Sequence, residues 1–244
     1  LIYRSGVYAL NFNTFFSLKG LIYHQAKFFG LKTDLAYIFS NYYSEKLLIG
    51  SVFALAFFSI VGLLKKSNYI TNFLLWFLVL NFQNFLYPTL TAGDYLLNQL
   101  LFFNILFSFR LSRFGIWNEI KTALHNSGLL AIKLQICLAY FLAAWFKLTD
   151  EDWMNGTSVY DIFQVSEYSN HFFKSLPTQL CVFLTYATII YQLLFPMLIW
   201  FRRFKIYFFS FGIIQHLLIA FGMGLFSFGV IMAICYILFL KYDN

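Results

Sequence analysis

Residues 181–201 read CVFLTYATIIYQLLFPMLIWF and carry no charged side chain. A helix of roughly 20 apolar residues crosses a hydrocarbon core about 30 Å thick, so this stretch alone is long enough to span a bilayer. Working outward, comparable apolar runs recur near 3–23, 46–64, 69–86, 93–109, 129–148, 179–201, 205–223 and 226–240. No internal repeat or low-complexity linker separates them. About eight helices in one domain over 1–244 are therefore expected, an all-α polytopic transmembrane bundle. The first run contains Arg4, Asn11, Asn13 and Lys19 and suits an interfacial helix as well. Residues 114–126 mix apolar and polar positions at helical spacing and read as a separate interfacial helix on the cytoplasmic side.

Composition excludes a chain solvated by water over most of its surface. Of 244 residues, 61% are hydrophobic, 23% aromatic and 11% charged, where soluble domains carry about 25% charged residues. The reading leaves no room for a soluble catalytic domain. The net charge of +7 does not point to nucleic acid, because the basic residues sit at the ends of apolar runs and not on one face. Cys137, Cys181 and Cys235 lie inside apolar segments, an odd, widely spaced trio with neither disulfide nor metal-site spacing, and read as packing residues. The sequence opens at Leu1 with no legible signal peptide, and residues upstream of it are allowed for.

Loop charges set an orientation. Lys65 and Lys66, Arg110, Arg113 and Lys121, Arg202, Arg203 and Lys205, and Lys241 all follow even-numbered spans. The alternate loop 149–178 carries Asp150, Glu151, Asp152, Asp161 and Glu167 against Lys174. Under the positive-inside rule both termini are cytoplasmic and loop 149–178 is extracytoplasmic, in the cell (plasma) membrane. Loop 25–44, with Lys27 and Lys32 against Asp34, votes the other way.

Ionisable groups at membrane depth cost about 2.5–3.5 kcal/mol on insertion scales and need a reason to be there. His216, beside Gln215 in span seven, either bonds a neighbouring helix as a neutral imidazole or serves a site. Lys147, closing span five, is either a snorkelling lysine or a desolvated base facing the acidic loop. Asp94, opening span four, reads first as a helix cap and second as a partner for Lys147. Asn81, Gln83, Asn84, Asn98, Gln99 and Asn104 concentrate amides in spans three and four, for interhelical hydrogen bonds or a polar cavity. Pro196 should kink span six, and Gly212, Gly222, Gly224 and Gly229 should let helices approach closely. There is no phosphate loop, HExxH, His pair or hydrolase-type Ser elbow, and no metal is expected.

Tyr140-Phe141-Leu142-Ala143-Ala144-Trp145-Phe146-Lys147-Leu148, followed by Asp152-Trp153 and Gly156-Thr157, resembles the signature of the membrane domain of vitamin K-dependent gamma-carboxylase and its bacterial relatives, the horizontally transferred transmembrane (HTTM) proteins. Tyr3-Arg4, Gly93-Asp94-Tyr95-Leu96-Leu97, and His216 followed by Gly224-Leu225-Phe226-Ser227 resemble further segments of that family in the same order. The resemblance covers nearly the whole chain. It implies a membrane enzyme that takes a reduced quinone of the vitamin K type and O2, epoxidises the quinone, and couples this to proton abstraction from a substrate, with CO2 as co-reactant where carboxylation follows. By position Lys147 is the base that deprotonates the reduced quinone, the strong base formed after oxygen adds then taking the substrate proton, and His216 is its polar partner, while Asp94, Asp152, Trp153, Gly156 and Gln215 position substrate and loop. The chain departs from the carboxylase in having Phe146-Lys147 where two lysines stand, Gly93 near the place of a histidine, and an end at Asn244 where a large lumenal domain follows. Small relatives also include membrane factors that mature secreted peptide toxins, as in the sporulation-delaying protein system. On that alternative the aromatic loop 149–178 docks a secreted peptide or a small partner protein.

Overall fold

The computed structural model describes residues 1–10, 45–64, 68–85, 90–107, 116–166, 169 and 171–240, which are mostly helical with no strand among them. The helices are α1 Ile2–Leu10, α2 Glu45–Leu63, α3 Tyr69–Phe85, α4 Ala92–Phe107, α5 Ile116–Leu148, α6 Glu151–Met154, α7 Ser158–Gln164, α8 His171–Lys174, α9 Thr178–Leu198, α10 Arg202–Leu217 and α11 Phe226–Leu240. A π-helical turn, Leu218–Gly222, extends α10. Three stretches, Asn118–Leu148, Thr178–Leu198 and Arg202–Gly222, are long and apolar enough to cross a membrane, and Ile49–Gly62, Tyr69–Gln83 and Phe226–Leu240 are shorter apolar helices. Span one after Leu10, loop 25–44, Lys65, Lys66, the Asn84 side chain, Arg110, Arg113 and Lys241 lie outside what is described.

The helix surfaces explain the composition. On α9 the buried positions Cys181, Thr185, Ile189 and Phe195 recur at helical spacing, yet the opposite face shows Phe183, Ile190 and Met197, each more than half exposed. Outward-facing side chains as apolar as the interior suit a hydrocarbon solvent.

One element departs from the sequence reading. Span five and the expected interfacial helix 114–126 are one helix, α5, of 33 residues and about 50 Å. The intervening Asn126-Ser127-Gly128 holds no proline. Each of its residues costs about 1 kcal/mol or less relative to alanine, too little to break a helix continued on both sides. Likewise α9 runs through Pro196 and ends two residues later, at Leu198, where Trp200 Nε1 donates to the Pro196 carbonyl at 2.9 Å.

The chain divides into two compact units, Leu1–Gly128 and Leu129–Asn244. In the first, Val52 and Leu55 of α2 pack with Leu75, Val79 and Phe82 of α3, and the Tyr8 ring of α1 stacks on Phe82 at 5.5 Å. Amides join α3 to α4. Trp76 Nε1 donates to Asn98 Oδ1 (3.0 Å), Asn98 Nδ2 to Gln83 Oε1 (2.8 Å), and Gln83 Nε2 to the Asp94 carbonyl (2.6 Å). Interhelical bonding is thus what Gln83 and Asn98 do, while Asn81 Nδ2 turns back to the Phe77 carbonyl of its own helix at 2.7 Å.

In the second unit glycines set the closest approaches. A Cβ on Gly229 would strike the His216 carbonyl and Ala220, one on Gly222 the Phe173 ring, and one on Gly212 the Tyr191 and Tyr236 hydroxyls. Gly224 plays a different part. It holds φ +70 in the turn between the π segment and α11, with open space around it. Replacing Gly229 by Val should therefore lower the thermal midpoint of the detergent-solubilised protein, by circular dichroism, as overpacking of about 1–3 kcal/mol requires. Gly62→Ala, where an added Cβ meets nothing, should leave the midpoint unchanged or slightly raised.

Candidate functional site

The motif residues that follow α5 build a cap on one end of the second unit. Asp150 is the N-cap of α6, its carboxylate accepting from the backbone N–H groups of Asp152 (3.1 Å) and Trp153 (3.2 Å). Asp152 contributes through its main chain. Its carbonyl takes the Thr157 N–H at 3.0 Å and hydroxyl at 3.3 Å, while its own side chain is exposed. Gly156 then turns the chain at φ +81, against Tyr186 and Val182 of α9.

Thr185, wholly buried on α9, fastens this turn. Its hydroxyl proton lies between the carbonyls of Cys181 (2.9 Å) and Gly156 (3.3 Å), and its oxygen receives the Val159 N–H at 3.3 Å. Tyr186 adds a bond from its hydroxyl to the Met154 carbonyl at 2.9 Å. Val159, Phe163, Phe173 and Cys181 close into an apolar cluster with Trp153, Ile162 and Met223 around it. Much of the aromatic loop thus faces inward.

Lys147, half-buried at the end of α5, lies under this cap. Its Nζ rests 4.6 Å from the centre of the Trp153 ring and donates to the Ala143 carbonyl at 3.4 Å. Among the described residues no carboxylate pairs with it; Asp150 and Asp152 shape the turn and leave the amine to the tryptophan face.

Deeper in the same unit four side chains meet where sequence reading singled out one. His216 is 4% exposed, and its Nε2 lies 2.6 Å from the Tyr140 hydroxyl of α5. Tyr140 bonds Tyr236 of α11, Tyr236 bonds Tyr191 of α9 at 2.7 Å, and Tyr191 donates to the Phe208 carbonyl of α10 at 3.0 Å. Phe195 packs on Tyr140 at 4.2 Å between ring centres and Phe228 closes on His216 at 5.8 Å. Four helices thereby share one hydrogen-bonded series. Two acceptors nearby in sequence stay unbonded: His216 Nδ1 and Gln215 Oε1 are buried without a protein partner. A buried group left so costs about 1–3 kcal/mol, which marks the place where another molecule's donor would be stabilising. The π turn begins two residues after His216, and such turns cluster at functional positions.

Beside this series, between α9 and α10, lies an apolar groove of about 490 Å³ lined by residues including Phe183, Ile190, Tyr191, Leu194, Tyr207 and Phe211. Tyr191 belongs to both groove and series. Lys147 and His216 share no partner: one contacts Ala143 and Trp153, the other Tyr140, Phe228 and Tyr236. Asp94, in the first unit, is a helix-start carboxylate whose Oδ2 accepts the Thr91 N–H and hydroxyl, each at 2.8 Å, the capping role the sequence favoured.

Replacing Thr185 by Val should cost about 1–3 kcal/mol in detergent unfolding, since it strands the Val159 N–H and the Gly156 carbonyl. It should also speed limited proteolysis within 151–174, whereas Tyr186→Phe, which loses one exposed bond, should change both less. Comparisons of the chain with protein-family models, with curated proteins and with solved structures found no match.

Proposed function

We propose that the protein is a polytopic, HTTM-like membrane enzyme of about eight spans that oxidises a reduced lipid quinone with O2 and couples this to proton abstraction from a substrate. Both termini are cytoplasmic on this reading, and loop 149–178 is extracytoplasmic. The observation that carries it is the buried Tyr140–Tyr236–Tyr191 series with His216 at its end, adjoining an apolar groove. Such a groove suits a ligand that arrives through the bilayer without entering water. The groove's apolar lining fits a prenyl chain, which Phe183, Ile190, Leu194 and Phe211 would hold. When bound, the reduced quinone supplies the electrons for reduction of oxygen.

The protein's own contributions are binding, exclusion of water and proton handling. Lys147 offers an amine held under Trp153 with one long hydrogen bond and no ion pair among the described residues, as a base that must reach the reduced quinone requires. Asp150, Gly156 and Thr185 keep that lid in place. The alternative, a membrane factor for peptide maturation or export, draws on Phe172 and Met154, which the cap leaves 66% and 49% exposed. It makes no use of the buried series.

Replacing Lys147 by Ala should lower oxygen uptake and quinone epoxide formation by about 100-fold or more in nanodiscs supplied with reduced quinone, with the thermal midpoint unchanged. Retained epoxide formation by the folded variant would remove Lys147 from the mechanism. For the orientation, a membrane-impermeant maleimide applied to intact cells should label Asp161→Cys and spare Arg203→Cys. The native thiols at Cys137, Cys181 and Cys235 are buried and leave a low background; the reverse labelling would invert the topology.

A further inference from the structure

Lys147 and His216 have no partner in common, yet the parts that hold them meet at the π turn. Phe173 of α8, 9% exposed, lies with the tip of its ring over Gly222, where its Cε2 and Cζ occupy the place a Cβ would take. Gly222 is not there for its backbone angles, since among the described glycines Gly156 and Gly224 are the ones with positive φ. What excludes a side chain at 222 is the Phe173 ring. That ring also packs on Phe163, 4.7 Å between centres, in the cluster with Val159 and Cys181 against which Trp153 and Met223 lie. Trp153 in turn presents its face to the Lys147 amine at 4.6 Å. On its other side the π turn is held by α11, because Gly229 lies against both Ala220 and the His216 carbonyl.

We propose that Phe173, seated on Gly222, is a latch that ties the cover over the Lys147 amine to the π turn after His216, so that displacing the turn uncovers the amine. The hydrogen bonds from Thr185 and Tyr186 of α9 reach the cap at Met154, Gly156 and Val159. The later part of the cap meets the π turn through Phe173, an apolar contact. A ring in a notch one carbon wide is either seated or out of it, because close-packed surfaces shift between discrete arrangements and do not deform smoothly. Seated, it fills the cluster on which Trp153 leans. Unseated, it leaves that cluster short of a ring, and the tryptophan loses its support. A cation–π contact at a partly exposed site is weak, so a small displacement of the cover is enough to free the amine. Phe173 and Gly222 are positioning residues, acting through Trp153. The latch controls access to the amine whatever chemistry the amine serves, and acylation reads it independently of turnover.

The test is acylation by a water-soluble N-hydroxysuccinimide ester on the protein in nanodiscs, read by peptide mass spectrometry, with Lys205 at the other end of α10 as the reference. Gly222→Ala drives the ring from its seat and should speed acylation of Lys147 about two- to fivefold relative to Lys205, the change that loss of a cation–π contact at a partly exposed site allows. Amide exchange should rise in α6 and α7 and stay unchanged in α5 around Tyr140. Phe173→Leu removes the Cε2 and Cζ atoms at the seat and keeps apolar bulk. Combined with Gly222→Ala it should therefore return Lys147 to the wild-type rate, the added methyl filling the place the ring tip left. Gly229→Ala, which presses on the π turn from α11 without touching the cap, should also speed Lys147. An unchanged Lys147 rate in folded Gly222→Ala or Gly229→Ala, effects of Gly222→Ala and Phe173→Leu that simply add, or exchange rising equally in α5, overturns the latch. Should Gly222→Ala fail to fold, Phe173→Ala empties the seat instead: faster acylation of Lys147 supports the latch, and an unchanged rate overturns it.

Discussion

Inside hydrocarbon there is no water to accept a proton or supply one, so a polar group there is bonded by protein or carries an uncompensated cost. The second unit is organised by how it meets that constraint. Three phenols and an imidazole on α5, α9, α10 and α11 end at a backbone carbonyl, and each helix contributes at least one group. Removing any one strands the next. The series also draws the helices together, since Gly212 is where the Tyr191 and Tyr236 hydroxyls occupy the space a Cβ would need. Gly229 admits the His216 carbonyl in the same way. Small residues and buried polar bonds work jointly here, the pairing on which helix association in membranes depends.

The cap over Lys147 follows the same logic near an end of the bundle. Its helices are too short to be stable alone; Asp150 satisfies the first amides of α6, and the buried Thr185 hydroxyl holds the Gly156 carbonyl and the Val159 N–H at the start of α7. Trp153 and Phe163 then turn inward to the cluster with Cys181, and the tryptophan face covers the amine. Part of the loop's aromatic surface, Trp153, Phe163 and Phe173, is therefore committed to the protein itself, while Phe172 stays exposed.

Much of this was legible from sequence, for reasons that differ by element. The helices were legible because uncharged apolar runs bounded by polar breaks have few other physical meanings; 69–86 and 93–109 became the helices Tyr69–Phe85 and Ala92–Phe107, while Asn118–Leu148, Thr178–Leu198 and Arg202–Gly222 are the ones long and apolar enough to cross a membrane. The join within α5 was not, because Asn126-Ser127-Gly128 looks like a break and acts only as a weak helical stretch. Asp94 was readable as a cap from its place at a helix start. Asp150 was passed over for Asp152 because cap geometry depends on where the helix begins, which composition leaves uncertain by a residue or two. The tyrosines of the buried series were hidden for a chemical reason. In an apolar run tyrosine counts as one more aromatic, and only tertiary contact reveals that the hydroxyls of Tyr140, Tyr191 and Tyr236 converge. A signal was present all the same: a phenol within an apolar span, at least a full turn from either end, needs a partner, and spans five, six and eight each carry one.

The central claim is that this polar series and its groove serve a lipid quinone. Photoaffinity labelling in native-like bilayers with a prenylated quinone bearing a photoreactive group on its tail, followed by peptide mapping, addresses it most directly. The account predicts adducts concentrated on α9 between Phe183 and Leu194 and on α10 between Tyr207 and Phe211, displaced by unlabelled quinone. Adducts spread over exposed apolar residues such as Phe53, Phe57 and Phe221 in proportion to their exposure, and not displaced, would contradict it.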